Sequence, residues 1–312
     1  MSAAPACSRQ RGVALLIALL VVALASVLIA GLLDRGELAY ARTRNQLLDA
    51  QAQDYAGGLE VYAARVLQQA WAANSGIDSS SSAWAVPLPP TPVPNGIIAA
   101  TMRDRNGCFN LNNLVDSAGA PNAPWPDKFR KLLAALQLDP ALADAVAAWQ
   151  SPAPGNDDPY YLAQAVPYRP AKRNFIHVSE LRLVKGISGD IFAALAPHVC
   201  ALPAGTTINI NTATVPVLMT IAGVSTEQVA RRIWQEGHAN YPGLDAEALK
   251  TVVPGLIGES RYYGVSSSYF LARGDITLDG LPFTFFSLIE RRLDGGPNSG
   301  IRVIARSRGS DE

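Results

Sequence analysis

The residue types that carry most enzyme and metal chemistry are few in this sequence and lie far apart. The chain has three Cys and three His in 312 residues, and their spacing forms neither a zinc cluster nor a thiol-redox pair. His177, His198 and His238 each lack a neighbouring nucleophile in the sequence, and a lone His is more often structural than catalytic. A Gly-x-x-x-x-Gly-Lys phosphate loop is also missing from the sequence. The sequence therefore indicates a protein that is not an enzyme.

One short segment carries oxygen ligands of the kind that a hard cation prefers. Asn156, Asp157 and Asp158 follow one another directly before Pro159. Calcium takes about six to eight oxygen ligands, so two carboxylates and one amide would need more distant partners. A solvated Asn-Asp turn explains the same residues about as well. The residues alone leave a calcium site and a plain turn open.

The charge balance bears on the class of binding partner. Lys and Arg total 26, Asp and Glu also total 26, and the formal net charge is zero. Proteins whose main function is to bind nucleic acid usually carry a basic excess. We therefore expect no nucleic-acid partner.

The elements that position these residues begin with an apolar segment near the N-terminus. Residues 13–33 contain no charged side chain, and as a helix they would span roughly 30 Å, the thickness of a bilayer core. Arg9 and Arg11 precede the segment, which predicts a cytoplasmic N-terminus. The alternative is a cleaved secretory signal, but that would have a shorter apolar run followed by a small-x-small cleavage site.

The segment after the apolar run continues without Pro and predicts an amphipathic helix. Its apolar residues recur in steps of three and four: Leu48, Ala52, Tyr55, Leu59, Tyr62, Val66 and Ala70. One helix is therefore predicted from Val13 to about Ala73, ending at Asn74-Ser75-Gly76.

A polar leader ending in Gly12, an apolar segment and a long amphipathic helix together resemble the type IV pilin and pseudopilin family. The resemblance implies that prepilin peptidase cleaves after Gly12 and that the new N-terminal residue, Val13, is methylated. Four further segments resemble the minor pseudopilin K family of type II secretion systems: CFNLNNL (108–114) and residues 159–188, 199–214 and 269–280. Most pilins carry Glu at the fifth mature position, whereas this chain has Ile17. Pseudopilin K proteins lack this Glu, so Ile17 agrees with the resemblance.

This resemblance implies a location, a function and a set of partners. The chain would be a single-pass inner-membrane protein with its globular part in the periplasm. It would form the pseudopilus tip and support export of folded proteins across the outer membrane. Its partners would be the minor pseudopilins I, J and H, the pseudopilus shaft and prepilin peptidase.

The resemblance also bears on the cysteines and on calcium. Cys7 would be lost with the leader, which leaves Cys108 and Cys200 as an even pair in a compartment where disulfides form. Two buried free thiols are the alternative. Pseudopilin K proteins include calcium-binding members, but Gln150 and Ser151 stand here where relatives commonly carry acidic residues.

The pattern as a whole predicts an α+β fold with a long N-terminal transmembrane and amphipathic helix. Residues 79–94 contain Ser and Pro runs and predict an unstructured linker. A strand is predicted at 97–103, helices from 125 to 256, and an antiparallel meander at 269–278, 284–292 and 301–306. A pilin-like antiparallel sheet with a large helical insertion accounts for this order. The predicted boundaries are a leader at 1–12, a transmembrane segment at 13–33, a helix and first pilin-like part at 34–109, the insertion at 110–260, and a C-terminal β part at 261–312.

An internal repeat within the helical region raises a different hypothesis. SELRLVKGIS (179–188) aligns with PVLMTIAGVS (216–225), and each copy precedes an amphipathic segment. Helix-hairpin-helix and SAM-like units have this arrangement, with Gly186 and Gly223 at the turns. The alternative function is therefore a membrane-anchored periplasmic DNA-binding protein of DNA uptake. Five Lys/Arg against six Asp/Glu between residues 176 and 255 provide no basic surface for DNA.

Overall fold

A computed structural model describes residues 10–152, 158–239, 243–253, 258–293 and 299–310. The chain divides into two compact units, residues 1–54 and residues 55–312. The first unit is helical throughout its described part, and the second contains the remaining helices and all the described strands. Helix α1 (Gln10–Ala73) begins in the first unit and ends in the second.

The predicted end of α1 is found at the predicted residues. Ser75 and Gly76 have φ values of 52° and 79°, which is the left-handed conformation typical of a helix C-terminus. A Cβ at Gly76 would also lie 3.1 Å from the Trp71 ring. Gly therefore relieves both the backbone strain and the crowding at this position.

The second unit contains one large sheet and two small ones. The nine strands among the described residues are β1 (Leu88–Val93), β2 (Gly96–Asp104), β3 (Phe109–Asn110), β4 (Val199–Cys200), β5 (Ile208–Asn209), β6 (Tyr263–Gly264), β7 (Tyr269–Leu278), β8 (Leu281–Arg292) and β9 (Gly300–Arg308). The large sheet is antiparallel with the order β1-β2-β7-β8-β9. Strands β3 with β4 and β5 with β6 form short parallel pairs.

Strands from both ends of the second unit meet in the large sheet. Ala100 of β2 pairs with Gly274 of β7, and Gly274 pairs in turn with Phe285 of β8. The β7–β8 turn is Asp279-Gly280, with φ values of 48° and 80°, which matches the hairpin turn that an Asp-Gly pair favours. The chain segment between β2 and β7 carries most of the remaining helices.

The structure corrects the prediction of a linker at residues 79–94. Residues 88–93 form β1, although three of the six are Pro. Pro has no N–H to donate, so it interrupts a central strand but is accepted at the edge of a sheet. Because β1 pairs only with β2 in this sheet, its Pro residues cost few ladder hydrogen bonds.

The last turns of α1 pack on one face of the large sheet. Ala63, Leu67 and Ala70 are buried against Phe270 of β7 and Ile289 of β8. Small side chains on the helix and a glycine on the sheet allow this close approach, because a Cβ at Gly274 would lie 2.8 Å from Cδ1 of Leu59.

Short helices between β2 and β7 enclose a separate hydrophobic core. They are α2 (Trp125–Ala135), α3 (Leu142–Gln150), α4 (Asp158–Leu162), α5 (Gly189–Leu195), α6 (Val215–Leu218), α7 (Glu227–Ala239) and α8 (Ala246–Val252). Phe109 lies near the centre of this core, with its ring 5.2 Å from Phe129 and 5.6 Å from Trp125. The aromatic contacts join strand β3 to helix α2.

The predicted Gly turns of the internal repeat are present. Gly186 and Gly223 have φ values of 83° and 84°, and helices α5 and α7 follow them. The predicted fold class, a long N-terminal apolar helix with an antiparallel sheet and several helices, is confirmed.

Candidate functional site

The apolar part of α1 exposes side chains that normally lie in a protein interior. Val13 and Ile17 are each more than half exposed, and exposed Leu, Val and Ile side chains continue to Leu33. A helix that is apolar on all sides needs an apolar surrounding. By its length and composition α1 can cross a membrane.

The CFNLNNL segment is buried, and its Asn side chains form hydrogen bonds to distant backbone. Asn112 donates from Nδ2 to the carbonyls of Phe175 and Leu202, each at 2.9 Å. Asn110 and Asn113 donate to the carbonyls of Pro203 and Thr206, also at 2.9 Å. A buried backbone carbonyl without a partner is costly, so these amides stabilise the loops they contact.

Residues 208–214 (ININTAT) form similar hydrogen bonds to backbone at the junction between the large sheet and the helices. Asn209 donates to the Asp78 carbonyl at 3.1 Å and to Ser267 Oγ at 2.7 Å. Asn211 donates to the Leu244 carbonyl at 2.9 Å. Family resemblance points to both Asn-rich segments, but the sequence alone gives their side chains no role. Asn clustered between apolar residues was the available signal.

Cys108 and Cys200 are joined by a disulfide, with their Cα atoms 5.8 Å apart. Cys200 belongs to β4, which pairs with β3 next to Cys108. The bridge packs against Leu202, Tyr269 and Leu288. It therefore links the helical core to the large sheet.

Loss of the disulfide is expected to destabilise the fold substantially. The two Cys are 92 residues apart, and a cross-link over a long loop restricts the unfolded chain, typically contributing about 2–4 kcal/mol. A Cys108→Ala/Cys200→Ala variant should unfold at correspondingly lower urea concentration. Peptide mapping without reductant should recover the Cys108–Cys200 link from the wild-type protein, and full alkylation of both thiols would contradict it.

A buried ion pair holds the end of α1 against the sheet. Arg291 of β8 and Asp78 form a salt bridge in which both side chains are almost fully buried. Arg291 also donates to the Ser267 carbonyl at 2.7 Å, and its guanidinium lies 4.7 Å from the ring centres of Trp71 and Phe270. Asp78 accepts from Trp84 Nε1 at 3.1 Å and from the Ser267 amide at 2.8 Å.

A second carboxylate lies beside this pair. Asp104, the last residue of β2, accepts hydrogen bonds from Thr212 Oγ1 and, at 2.7 Å, from Ser267 Oγ. Burial of its carboxyl raises the pKa of Asp104 to about 6, although these hydrogen bonds act in the opposite direction. Burial disfavours the charged form more than the donors favour it.

This elevated pKa predicts a pH dependence of stability. The native state holds the Asp104 proton more tightly than the unfolded state does. The protonated Asp104 carboxyl therefore contributes its full stabilisation below the ordinary pKa of 3.8, and this contribution is lost as pH rises through about 6. Relative to the Asp104→Asn variant, the free energy of unfolding of the wild-type protein should fall by up to about 3 kcal/mol between pH 4 and pH 7. Urea titrations across this range test it, and parallel curves for the two proteins would contradict it.

Of the three residues predicted to bind calcium, the structure describes Asp158, which forms a salt bridge. Oδ1 of Asp158, the first residue of α4, accepts a hydrogen bond from Nζ of Lys172 at 2.9 Å. Asn156 and Asp157 lie outside the described residues. Within the described ranges no three His, Cys, Asp or Glu side chains form a group able to hold a metal ion. Calcium binding at Asn156, Asp157 and Asp158 therefore stays a prediction.

The histidines take part in local hydrogen bonds. Nδ1 of His198 lies 2.8 Å from Thr214 Oγ1, and Nδ1 of His238 lies 2.8 Å from the Trp234 carbonyl. Nδ1 of His177 accepts from the Ser179 amide at 3.2 Å. Burial lowers the pKa of His198, which favours its neutral form.

This chain is similar to known proteins over most of its length. The sequence family "Type II secretion system (T2SS), protein K" matches residues 107–204. Type II secretion system protein K of Pseudomonas aeruginosa is 34% identical over 96% of this chain and 93% of its own length. The protein of the same name from Aeromonas hydrophila is 31% identical over 86% and 89% of the two chains. The chain belongs to the type II secretion system protein K family.

A solved structure agrees with this assignment. A chain in the crystal structure of the GspK-GspI-GspJ complex from enterotoxigenic Escherichia coli matches with a TM-score of 0.72 and 27% identity. The match covers 86% of this chain and 99% of that chain. The predicted membership of the pseudopilin K family and the minor pseudopilin role are thereby confirmed, while the DNA-uptake alternative finds no support in these comparisons.

Gly12 and Val13, the residues of the predicted leader cleavage site, lie in or next to the apolar part of α1. Val13 is the first described residue of the exposed apolar segment. Gly12 lies within α1 and directly precedes it. Cleavage after Gly12 and methylation of Val13 stay predictions.

Proposed function

We propose that this protein K forms the tip of a type II secretion pseudopilus together with minor pseudopilins I and J. The observation that carries the proposal is the similarity, over 86% of this chain, to one chain in the structure of a GspK-GspI-GspJ complex. Pseudopilin H and the pseudopilus shaft are further proposed partners. In this role the protein is not an enzyme and supports export of folded proteins across the outer membrane.

The proposed location follows from the exposed apolar helix. Residues 13–33 would cross the inner membrane, and the second unit would lie in the periplasm. Arg9 and Arg11 favour a cytoplasmic N-terminus, and the Cys108–Cys200 bridge suits an oxidising compartment. Prepilin peptidase would release Val13 as the mature N-terminus, which would then be methylated.

Two features favour a position at the tip over one in the shaft. Ile17 provides no carboxylate to neutralise the terminal amine of a subunit ahead, and an ion pair in hydrocarbon would otherwise favour such an addition. The helical region, proposed as an insertion at residues 110–260, adds bulk to the pilin-like sheet. A subunit stacked directly above would have to accommodate that bulk, whereas the tip has no such neighbour.

Immunogold labelling of isolated pseudopili tests the proposed position. Labels against this protein should lie at filament ends, and overproduction should change filament length by altering initiation or termination. An Ile17→Glu variant should still label the ends, because the bulk of the helical region remains, and Ile17→Leu provides the matched control. Labels spread evenly along the shaft would contradict the proposal.

A further inference from the structure

Strand β9 forms one edge of the large sheet. It pairs with β8 and with no other described strand, and none of its nine residues is buried. An open strand edge presents N–H and C=O groups at the spacing that a further strand satisfies. The opposite edge is different, because three of the six residues of β1 are Pro and lack an N–H. Of the two edges, β9 therefore offers more donors for strand addition.

An apolar cavity lies on the face of the large sheet opposite α1. Leu271 and Leu288 line it, and they alternate along their strands with Phe270 and Ile289, which pack against α1. The cavity volume is about 210 Å³, which exceeds the roughly 150 Å³ of an apolar cavity that holds benzene. The cavity can therefore hold one large apolar side chain.

The cavity and the β9 edge adjoin each other. Ala305 and Ser307 of β9 line the cavity on one side and are exposed, while Val178 and Leu202 line it from the helical region. Neighbouring strands lie about 4.8 Å apart, and alternate side chains of a strand point to the same face of its sheet. A strand placed along β9 would therefore have side chains on the cavity face.

A β-bulge limits regular pairing to the part of β9 beside the cavity. Leu288 pairs with Ala305 and Ile289 pairs with Val303, so Ile304 is the extra residue. A bulge bends its strand and interrupts the ladder. The part of β9 after the bulge stays in register with β8, and it is the part that lines the cavity.

We propose that the part of β9 after the bulge pairs with an extended segment of a partner protein, and that one large apolar side chain of this segment enters the cavity. Backbone hydrogen bonds to β9 hold the segment, and the cavity selects the apolar residue. A second copy of this chain fits poorly, because β9 contains Arg302, Arg306 and Arg308 and no acidic residue. Like charges on paired strands are destabilising. The inference does not depend on the position of the protein in the pseudopilus.

Fluorescence anisotropy of a labelled peptide, titrated with the detergent-solubilised full chain, tests the proposal. The probe is a six-residue peptide with a central Leu, a Glu at each end and Thr elsewhere, since Thr favours strands. It should bind, and replacing its Leu by Gly should weaken binding at least about tenfold, because burial of the Leu side chain is lost.

Two N-methylated forms of the Leu peptide test the backbone pairing. Each form is methylated at one of the two alternating sets of amides, and one edge of the peptide faces β9. One form should therefore bind at least about tenfold more weakly, because its donors to β9 are lost, and the other should bind like the unmodified peptide. Equal binding by the two forms would overturn the proposal.

The Ala305→Phe variant should weaken binding of the Leu peptide at least about tenfold, because the new ring fills the cavity. The matched control is Thr277→Phe, an exposed position of β7 that does not line the cavity, and it should bind the peptide like the wild-type protein. Absence of Leu-peptide binding would overturn the proposal, as would equal affinities of the Leu and Gly peptides or equal losses in the two Phe variants. Sedimentation of the wild-type chain as a dimer that Ala305→Phe dissociates would show that a second copy occupies the edge, and would also overturn it.

Discussion

A Gly12→Leu variant is expected to accumulate as an unprocessed precursor and to abolish secretion. Gly12 directly precedes the apolar segment at residues 13–33, and the family resemblance places cleavage after it. A peptidase site that fits a residue without a side chain should reject Leu, so we expect the mature form to fall by at least about two orders of magnitude. Without cleavage, the polar leader remains attached and the mature N-terminus at Val13 does not form.

Intact mass measurement of the membrane-extracted protein distinguishes precursor from mature chain and also reports methylation of Val13. Gly36→Leu is the matched control, because a Cβ at Gly36 would have no atom within 4 Å and Gly36 lies outside the leader. That variant should be processed and methylated normally. Normal mature protein from Gly12→Leu would show that the segment is not a prepilin leader.

An Asp78→Asn variant is expected to lower the free energy of unfolding by about 3–5 kcal/mol, because it leaves the buried Arg291 charge without its partner. Both side chains of this pair are only 1% exposed, so water cannot replace the lost carboxylate. The pair also holds Trp84 and the Ser267 segment. We therefore expect the variant to weaken the packing between the end of α1 and strand β8.

Urea titration of the detergent-solubilised protein, followed by Trp fluorescence, measures this loss. Asp275→Asn is the matched control, because Asp275 pairs with Arg273 at 2.9 Å with both side chains more than 40% exposed. Exposed pairs of this kind contribute only about 0–1 kcal/mol. Similar midpoints for the two variants would mean that the Asp78–Arg291 pair does not stabilise the fold as its burial implies.

The sequence by itself determined the features that depend on neighbouring residues. Apolar steps of three and four gave the extent of α1 to Ala73, Gly76 marked its end, and the Asp-Gly pair at 279–280 marked a hairpin. Helices and tight turns form between residues a few positions apart. Their signals can therefore be read directly along the chain.

The candidate site was only partly predictable, because its contacts join residues that are far apart in the sequence. Family resemblance selected the Asn-rich segments and the Cys pair, but the pattern of Asn110, Asn112 and Asn113 did not indicate which carbonyls they reach. Local sequence also argued against a strand at residues 88–93 because of its Pro residues. Its place at the sheet edge depends on β2 and on the order of the whole sheet.

Only the tertiary structure decided which polar groups share the buried junction. Asp78 and Arg291 are 213 residues apart, and Asp104 contacts Thr212 and Ser267, which are 108 and 163 residues away along the chain. No periodicity along the chain encodes such pairs, because each becomes favourable only after hydrophobic packing has excluded water from the junction. The same exclusion raises the pKa of Asp104.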